Sequence, residues 1–244
     1  MQDASKNPAV MPWPEFLKQL QGRHASLLAF AYDWWLYNTP LVERIRQLVP
    51  PPARILEVGT ATGAIAVLLA AHGYEVEGID TDPDVIESAR AFATRFHVGC
   101  RFEVADGFDL SRYAGQFDVA FSAGVIEHFP PERAVQMLEE KARSARSVLA
   151  VVPTWYALRN DPLTGASGAR PMRLRELKAL FRAAGLGVVR GFGYGTPDGW
   201  FSPVYRWLLP GALQWLLQNR YSYACSIGCF GRPALVTRCR ADGR

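Results

Sequence analysis

From about residue 54 onward, short β-branched runs alternate with segments of helical periodicity, and this alternation predicts most of the fold. Arg54–Val58 reads as a strand, followed by Ala64–Ala71, a helix apolar on most sides. Residues 75–79 form a second strand. Val85, Ile86, Ala89, Phe92, Ala93 and Phe96 then recur at the spacing of one helical face. Residues 102–105, 117–121 and 147–152 continue the strands, with a helix over Pro131–Ser144 before the last of them. Pro83 and Pro131 fit helix starts, where a missing N–H leaves no intrahelical bond unmade. Strands separated by helices predict an α/β fold, a mostly parallel sheet with helices on both faces.

The two ends depart from this alternation. The first fifty residues have helical character, with Leu27, Leu28, Ala31, Trp34 and Trp35 expected on one face. Residues 41–48 predict a separate short helix stopped by Pro50, Pro51 and Pro52. Downstream, residues 154–171 read as a loop, 174–184 as a helix, 187–193 as a glycine-dense strand and 234–239 as a closing strand. Between the last two lies 202–218, where Val204, Trp207, Leu208, Leu213, Trp215 and Leu216 spread over a wide apolar arc, broken at Pro210 and Gly211. So broad an arc must be covered by the protein's own sheet, a second copy in a homodimer, an apolar substrate or a membrane surface. Internal packing and dimerisation are the first expectations, and peripheral membrane contact stays open.

Composition narrows the class. With 244 residues, 49% hydrophobic and 20% charged, the chain can bury a full core, which excludes a disordered, collagen-like or small disulfide-stapled protein. Charge is uneven: residues 1–140 carry 11 Lys/Arg against 19 Asp/Glu, and residues 141–244 carry 16 against 4. The two halves are therefore expected to face different chemistry. Cys100, Cys225, Cys229 and Cys239 suggest free thiols, and with no histidine after His128 no metal site is expected. The beginning of the chain is unlike a secretory leader, and no apolar run is long enough to span a bilayer, so a soluble, cytoplasmic protein is expected.

Residues 55–63, Ile-Leu-Glu-Val-Gly-Thr-Ala-Thr-Gly, form a strand, a small-residue turn and a helix start. Glycine permits turns and close backbone approach closed to other residues, and free N–H groups at a helix start attract an anionic group. A dinucleotide fingerprint fits poorly, because Ala61 and Ala64 stand where glycines belong. A phosphate loop is excluded by the missing Gly-Lys-Ser/Thr. Asp80 ends the second strand, where an acid can accept both hydroxyls of a ribose. Asp106 follows the third, is succeeded by Gly107 and Phe108, and could accept from an adenine amino group while Phe108 packs on the ring. Residues 122–127 follow the fourth strand and would wall the same crevice. Each Asp alone could be a turn former or cap; their recurrence at successive strand ends points to one site.

With Glu57-x-Gly59-x-x-x-Gly63, Asp80, Asp106 and the stretch 121–128, the chain resembles the class I S-adenosylmethionine-dependent methyltransferases, in particular those acting on small molecules. It departs at Ala61, where many members have glycine. The resemblance implies a Rossmann-like seven-stranded sheet with its last strand antiparallel. It implies one domain over residues 1–244, with a helical cap at 1–50, a cofactor core at 51–155 and a substrate-side half at 156–244 carrying a helical insertion near 200–220. It implies S-adenosyl-L-methionine as cofactor, held by Tyr32, Glu57, Gly59, Thr60, Ala61, Gly63, Asp80, Thr81, Asp106, Gly107, Phe108, Ser122 and Ala123. A sulfonium and an ammonium would suit the acidic half.

The acceptor side is expected to hold Tyr37, His128, Trp155 and Tyr156. His128 is the candidate general base, since an imidazole titrates near neutrality; capping the next helix is the competing role. Tyr32, Tyr37 and their tryptophan neighbours could exclude water and hold a sulfonium through their ring faces. Arg159, Arg170, Arg173, Arg175, Lys178 and Arg182 suggest a polar or anionic small-molecule acceptor. Nucleic acid fits less well, because no binding module is appended and the basic residues are scattered. The function expected is methyl transfer to oxygen or nitrogen of a small molecule. The alternatives are an RNA methyltransferase and a cofactor-binding protein without turnover.

Overall fold

Successive residues of the central strands point to opposite faces of the sheet, and both sets are apolar, so helices must cover both sides. The computed structural model, which describes residues 11, 13–160, 166–195, 209–221 and 224–233, has that arrangement. Strands β1 (Arg54–Val58), β2 (Glu75–Asp80), β3 (Arg101–Val104), β4 (Phe117–Ala123), β5 (Ala145–Pro153), β6 (Leu186–Tyr194) and β7 (Ser226–Pro233) form one sheet, in the order β3-β2-β1-β4-β5-β7-β6. β1 pairs in parallel with β2 and β4, whereas β7 runs antiparallel between β5 and β6.

The helices are α1 (Trp13–Gly22), α2 (Leu27–Leu48), α3 (Ala64–Ala71), α4 (Pro83–Arg95), α5 (Pro131–Ser144), α6 (Trp155–Asn160), α7 (Leu174–Ala183) and α8 (Gly211–Tyr221). On one face, Phe30, Ile45 and Phe92 of α2 and α4 pack on Ile55, Val119, Phe121 and Leu149. On the other, Leu138 and Phe181 of α5 and α7 pack on Leu56, Ala120 and Val148. Ile55 and Leu56, or Val148 and Leu149, serve opposite faces, which is the period of two that a doubly covered sheet demands.

Several expectations are corrected. The segments expected as two N-terminal helices form one, α2, which runs through Pro40. The carbonyl that Pro40 leaves without a donor lies one turn earlier at Leu36, whose side of the helix is exposed, so water can satisfy it. The buried stripe of α2 is Phe30, Ala31, Asn38, Leu41, Val42 and Ile45, while Leu27 and Leu28 in the first turn are exposed. α6 forms inside the segment expected to be a loop. The antiparallel strand is Ser226–Pro233, upstream of the expected 234–239, which lies outside the described residues. Its glycines disguised it: a Cβ at Gly228 would stand 2.3 Å from the Phe192 ring, so the small residue gives that ring its place on the sheet. Residues 202–208 also lie outside the described ones. α8, which begins after Pro210, packs on β6 and α7, while its Leu213 stays exposed. Among the described residues no helix is long and apolar enough to cross a membrane.

Candidate active site

Strand order reverses between β1 and β4, and at such a switch point the loops leaving the carboxyl ends diverge and open a crevice. A cavity of about 710 Å³ lies there, within the usual range for small-molecule sites. Its floor is the turn after β1. Gly59 N–H and Thr60 N–H both donate to the Ile79 carbonyl, at 2.8 and 3.0 Å, which ties this turn to β2. Gly59 has φ +75°, and a Cβ there would lie 2.5 Å from Val125 Cγ2, so the position requires glycine on both counts. Ala61 adopts φ +48° without being glycine. That explains the family's preference at this position, since the left-handed region costs an L-residue about 1–2 kcal/mol.

Glu57 is buried beneath the turn and accepts from Thr60 Oγ1 at 2.9 Å. Burial pushes its carboxyl up to about 8, against the pull of the Thr60 hydroxyl and the Ala66 N–H. Asp80 holds the turn from the other side, Oδ2 accepting from Ala61 N–H at 3.4 Å and Oδ1 from Asp82 N–H at 3.3 Å. Burial raises its pKa as well. Asp106 Oδ1 accepts from Phe108 N–H at 2.9 Å, which fixes the bend that follows β3. The Phe108 ring meets Phe129 edge-on, and Arg133 covers it at 3.6 Å.

The structure brings Tyr37, Glu57, Gly59, Thr60, Ala61, Asp80, Thr81, Asp106, Gly107, Phe108, Ala123 and His128 to the cavity wall. It does not bring Tyr32, Ser122, Trp155 or Tyr156 there. Tyr32 faces solvent from α2, with 63% of its surface exposed, and Trp155 is 53% exposed. Ser122 points the other way along β4 and accepts from the buried Lys141 Nζ at 2.7 Å. Gly63 caps α3 with φ +72°, holding its first turn behind the wall. The basic residues Arg170, Arg173, Arg175, Lys178 and Arg182 do not line the cavity either. Its far end is apolar and aromatic instead, built from Trp13, Phe16, Leu17 and Leu20 of α1 and from Trp34 and Tyr194.

Three features of the wall were missed. Tyr37 shares a 2.7 Å hydrogen bond with Ser226 Oγ, and Tyr194 OH donates to Asn38 Oδ1 at 3.2 Å, a polar pair joining α2 to the end of the sheet. α1 supplies four apolar side chains, Trp13, Phe16, Leu17 and Leu20, whose recurrence on one helical face was the available signal. Glu127 lies on the wall between Gly124 and His128, buried, opposite a buried Lys141. Lys141 stands at a core position of the α5 stripe, with Ala134, Met137, Leu138 and Ser144, and a lysine in that phase was the available signal. His128 meets Trp13 edge-on with ring centroids 5.1 Å apart. Burial pushes its imidazole down to about 4, against the pull of the Gly124 and Ser167 carbonyls, which removes much of its driving force as a base.

Asp33, Glu57, Asp80, Asp106 and Glu127 line the cavity against Arg23 as the single Lys or Arg among the described residues. This set of acceptors fits a ligand that carries positive charge and hydroxyls. Domain comparison agrees with the geometry: residues 55–147 match the family described as a methyltransferase domain. The ubiquinone biosynthesis O-methyltransferase of Coxiella burnetii is 27% identical over 118 residues, 43% of this chain and 50% of that one. The enzyme of the same name from Xanthomonas axonopodis pv. citri is 29% identical over 147 residues, 53% and 62% of the two chains. Magnesium protoporphyrin IX methyltransferase from Synechocystis, solved with bound S-adenosylmethionine, superposes with a TM-score of 0.63 at 15% identity, covering 96% of this chain and 99% of that one. The chain spans about half the length of the first curated relatives it matches. Residues 55–147 thus match a methyltransferase domain, and the chain shares the fold of a methyltransferase solved with S-adenosylmethionine bound.

A cationic cofactor has a consequence for protons. Glu57 titrates near 8 in the folded chain against 4.5 for an ordinary glutamate, so between those values the fold holds a proton that the unfolded chain has lost. Its contribution to stability is therefore complete below about pH 4.5 and declines as pH rises through 8. A sulfonium and an ammonium bound in this cavity would favour the ionised form. Binding of S-adenosylmethionine is thus expected to release protons and to tighten as pH rises from 5 to 8. Calorimetry in buffers of different ionisation enthalpy checks this, and an uptake of protons would contradict it.

Proposed function

We propose that the chain transfers a methyl group from S-adenosylmethionine to a hydroxyl of a small, largely apolar acceptor. The observation that carries this reading is the continuity of one cavity from the carboxylates at the strand ends to the aromatic wall of α1, α2 and β6. Asp80 would accept the ribose hydroxyls, Asp106 the adenine amino group, and the turn Gly59–Gly63 would face the methionyl part. Phe108 would pack on the adenine ring. Val58 and Ala123 complete this half of the wall.

The acceptor would sit against Trp13, Leu20, Trp34, Tyr37 and His128. Transfer from a sulfonium is an in-line displacement, so alignment and exclusion of water are the protein's main contributions. The sequence points to a polar or anionic acceptor, but Arg170, Arg173, Arg175, Lys178 and Arg182 do not line the cavity, and an uncharged acceptor suits the wall better. The relatives named as O-methyltransferases support oxygen as the acceptor atom. His128, neutral near pH 7, would serve as wall and hydrogen-bond partner.

The test is transfer of labelled methyl from S-adenosylmethionine into a metabolite extract, with mass analysis of the product. A labelled apolar molecule carrying a methoxy group is the expected result. Label in RNA, or none at all with no binding of the cofactor, would reject the reading.

A further inference from the structure

Glu127 is 2% exposed, yet it lines the cavity, and among the described residues its Oε2 has no hydrogen-bond partner. A buried carboxylate oxygen left unpaired is costly and calls for an explanation. Three charged or titratable groups face it. His128, next in the chain, holds Nε2 4.0 Å from Oε1. Lys141, fully buried on α5, acts on it electrostatically, as does Arg170 from the segment before α7. Arg170 also donates its backbone N–H to the Glu127 carbonyl at 3.2 Å.

A purely structural ion pair would be closed. Here Lys141 Nζ instead donates to Ser122 Oγ at 2.7 Å, and Oε2 is left as a buried acceptor without a partner among the described residues. Burial drives Glu127 toward its protonated form and Lys141 toward its neutral form, and each resists this in the other. Such an arrangement sacrifices stability and leaves, in the wall of the cavity, a carboxylate without its full set of donors.

We propose that Glu127, and not His128, takes the hydroxyl proton of the acceptor, and that Lys141 is the positioning residue that keeps the carboxylate ionised. The proposal rests on the methyltransferase reading above. A bond forms between the acceptor oxygen and the methyl carbon as the carbon–sulfur bond breaks, its electron pair remaining on sulfur. The proton of the hydroxyl passes to the Glu127 carboxylate and leaves to solvent when the product departs. Charge balances: the sulfonium loses its positive charge as the proton is released.

The test compares wild type, Glu127→Gln and Lys141→Met in two measurements, labelled methyl transfer into the extract and calorimetric binding of S-adenosylhomocysteine. Glu127→Gln is expected to bind the homocysteine product within roughly threefold of wild type while losing about a hundredfold or more in transfer. It should melt no lower than wild type at pH 8.5, since it replaces a costly buried carboxylate. Lys141→Met removes the positive partner, so the acid limb of the pH–rate profile should move upward by about one unit. Transfer by Glu127→Gln within about threefold of wild type overturns the proposal. So does a joint loss of melting temperature and product binding, which makes Glu127 a structural member of the wall. Wild-type protein that neither binds the product nor labels any molecule rejects the methyltransferase reading, and this inference with it.

Discussion

Asp80→Ala is expected to weaken S-adenosylmethionine binding by about a hundredfold to ten-thousandfold while leaving the chain folded. The carboxylate stands at the end of β2 in the cavity wall, half-buried, where it accepts from the Ala61 and Asp82 N–H groups at 3.4 and 3.3 Å and is also held by the Thr81 N–H. The first two contacts are long, so the carboxylate keeps acceptor capacity for two ribose hydroxyls. Hydrogen bonds to a charged group contribute about 1.5–3 kcal/mol each, which sets the expected range. Asp80→Asn should fall between, because it keeps one carbonyl oxygen and loses the charge. Calorimetric titration measures the loss, and the far-ultraviolet circular dichroism should be unchanged. Affinity within about threefold of wild type would remove Asp80 from the ribose contact.

Much of this site was legible because its carboxylates sit at strand ends, and strand ends are where a period-two pattern stops. Asp80 and Asp106 could be placed from the strands expected at 75–79 and 102–105 alone. The acceptor wall could not. It is assembled from α1, α2, β6 and the start of β7, pieces more than 150 residues apart in the chain, such as Tyr37 and Ser226. Net charge misled for a related reason. Sixteen basic residues in the second half describe its composition, whereas the faces of α7 and the strands decide which of them reach the cavity. Ser122 and Ala123 show the same limit at the scale of one residue. Adjacent on β4, they point to opposite sides, one to Lys141 and the other to the cavity. Glu127 was hidden by its neighbour: a histidine that titrates near neutrality in water attracts the catalytic assignment, and only burial shows which of the two retains a free acceptor.

Gly59→Ala is expected to cost roughly 2–5 kcal/mol of stability and to abolish measurable cofactor binding. Two penalties add. The backbone at φ +75° puts an L-side chain in the left-handed region, at about 1–2 kcal/mol. The new Cβ would lie 2.5 Å from Val125 Cγ2, and relieving such an overlap costs typically about 1–3 kcal/mol. The overlap acts on function through geometry, because Val125 belongs to the segment between Gly124 and His128 that forms the opposing wall. Pushing Val125 away moves Glu127 and His128 together with it. The two penalties separate in a second variant. Val125→Ala in the Gly59→Ala background removes the overlap and leaves the backbone strain, so part of the lost stability should return. Ala61→Gly provides the opposite sign two residues on. It relieves an alanine at φ +48°, offset by the greater freedom of glycine in the unfolded chain, for a net gain of a few tenths of a kcal/mol or about 1 at most. Chemical denaturation of the four proteins measures all three terms. If Gly59→Ala is as stable as wild type, the turn after β1 is held by something other than this backbone conformation.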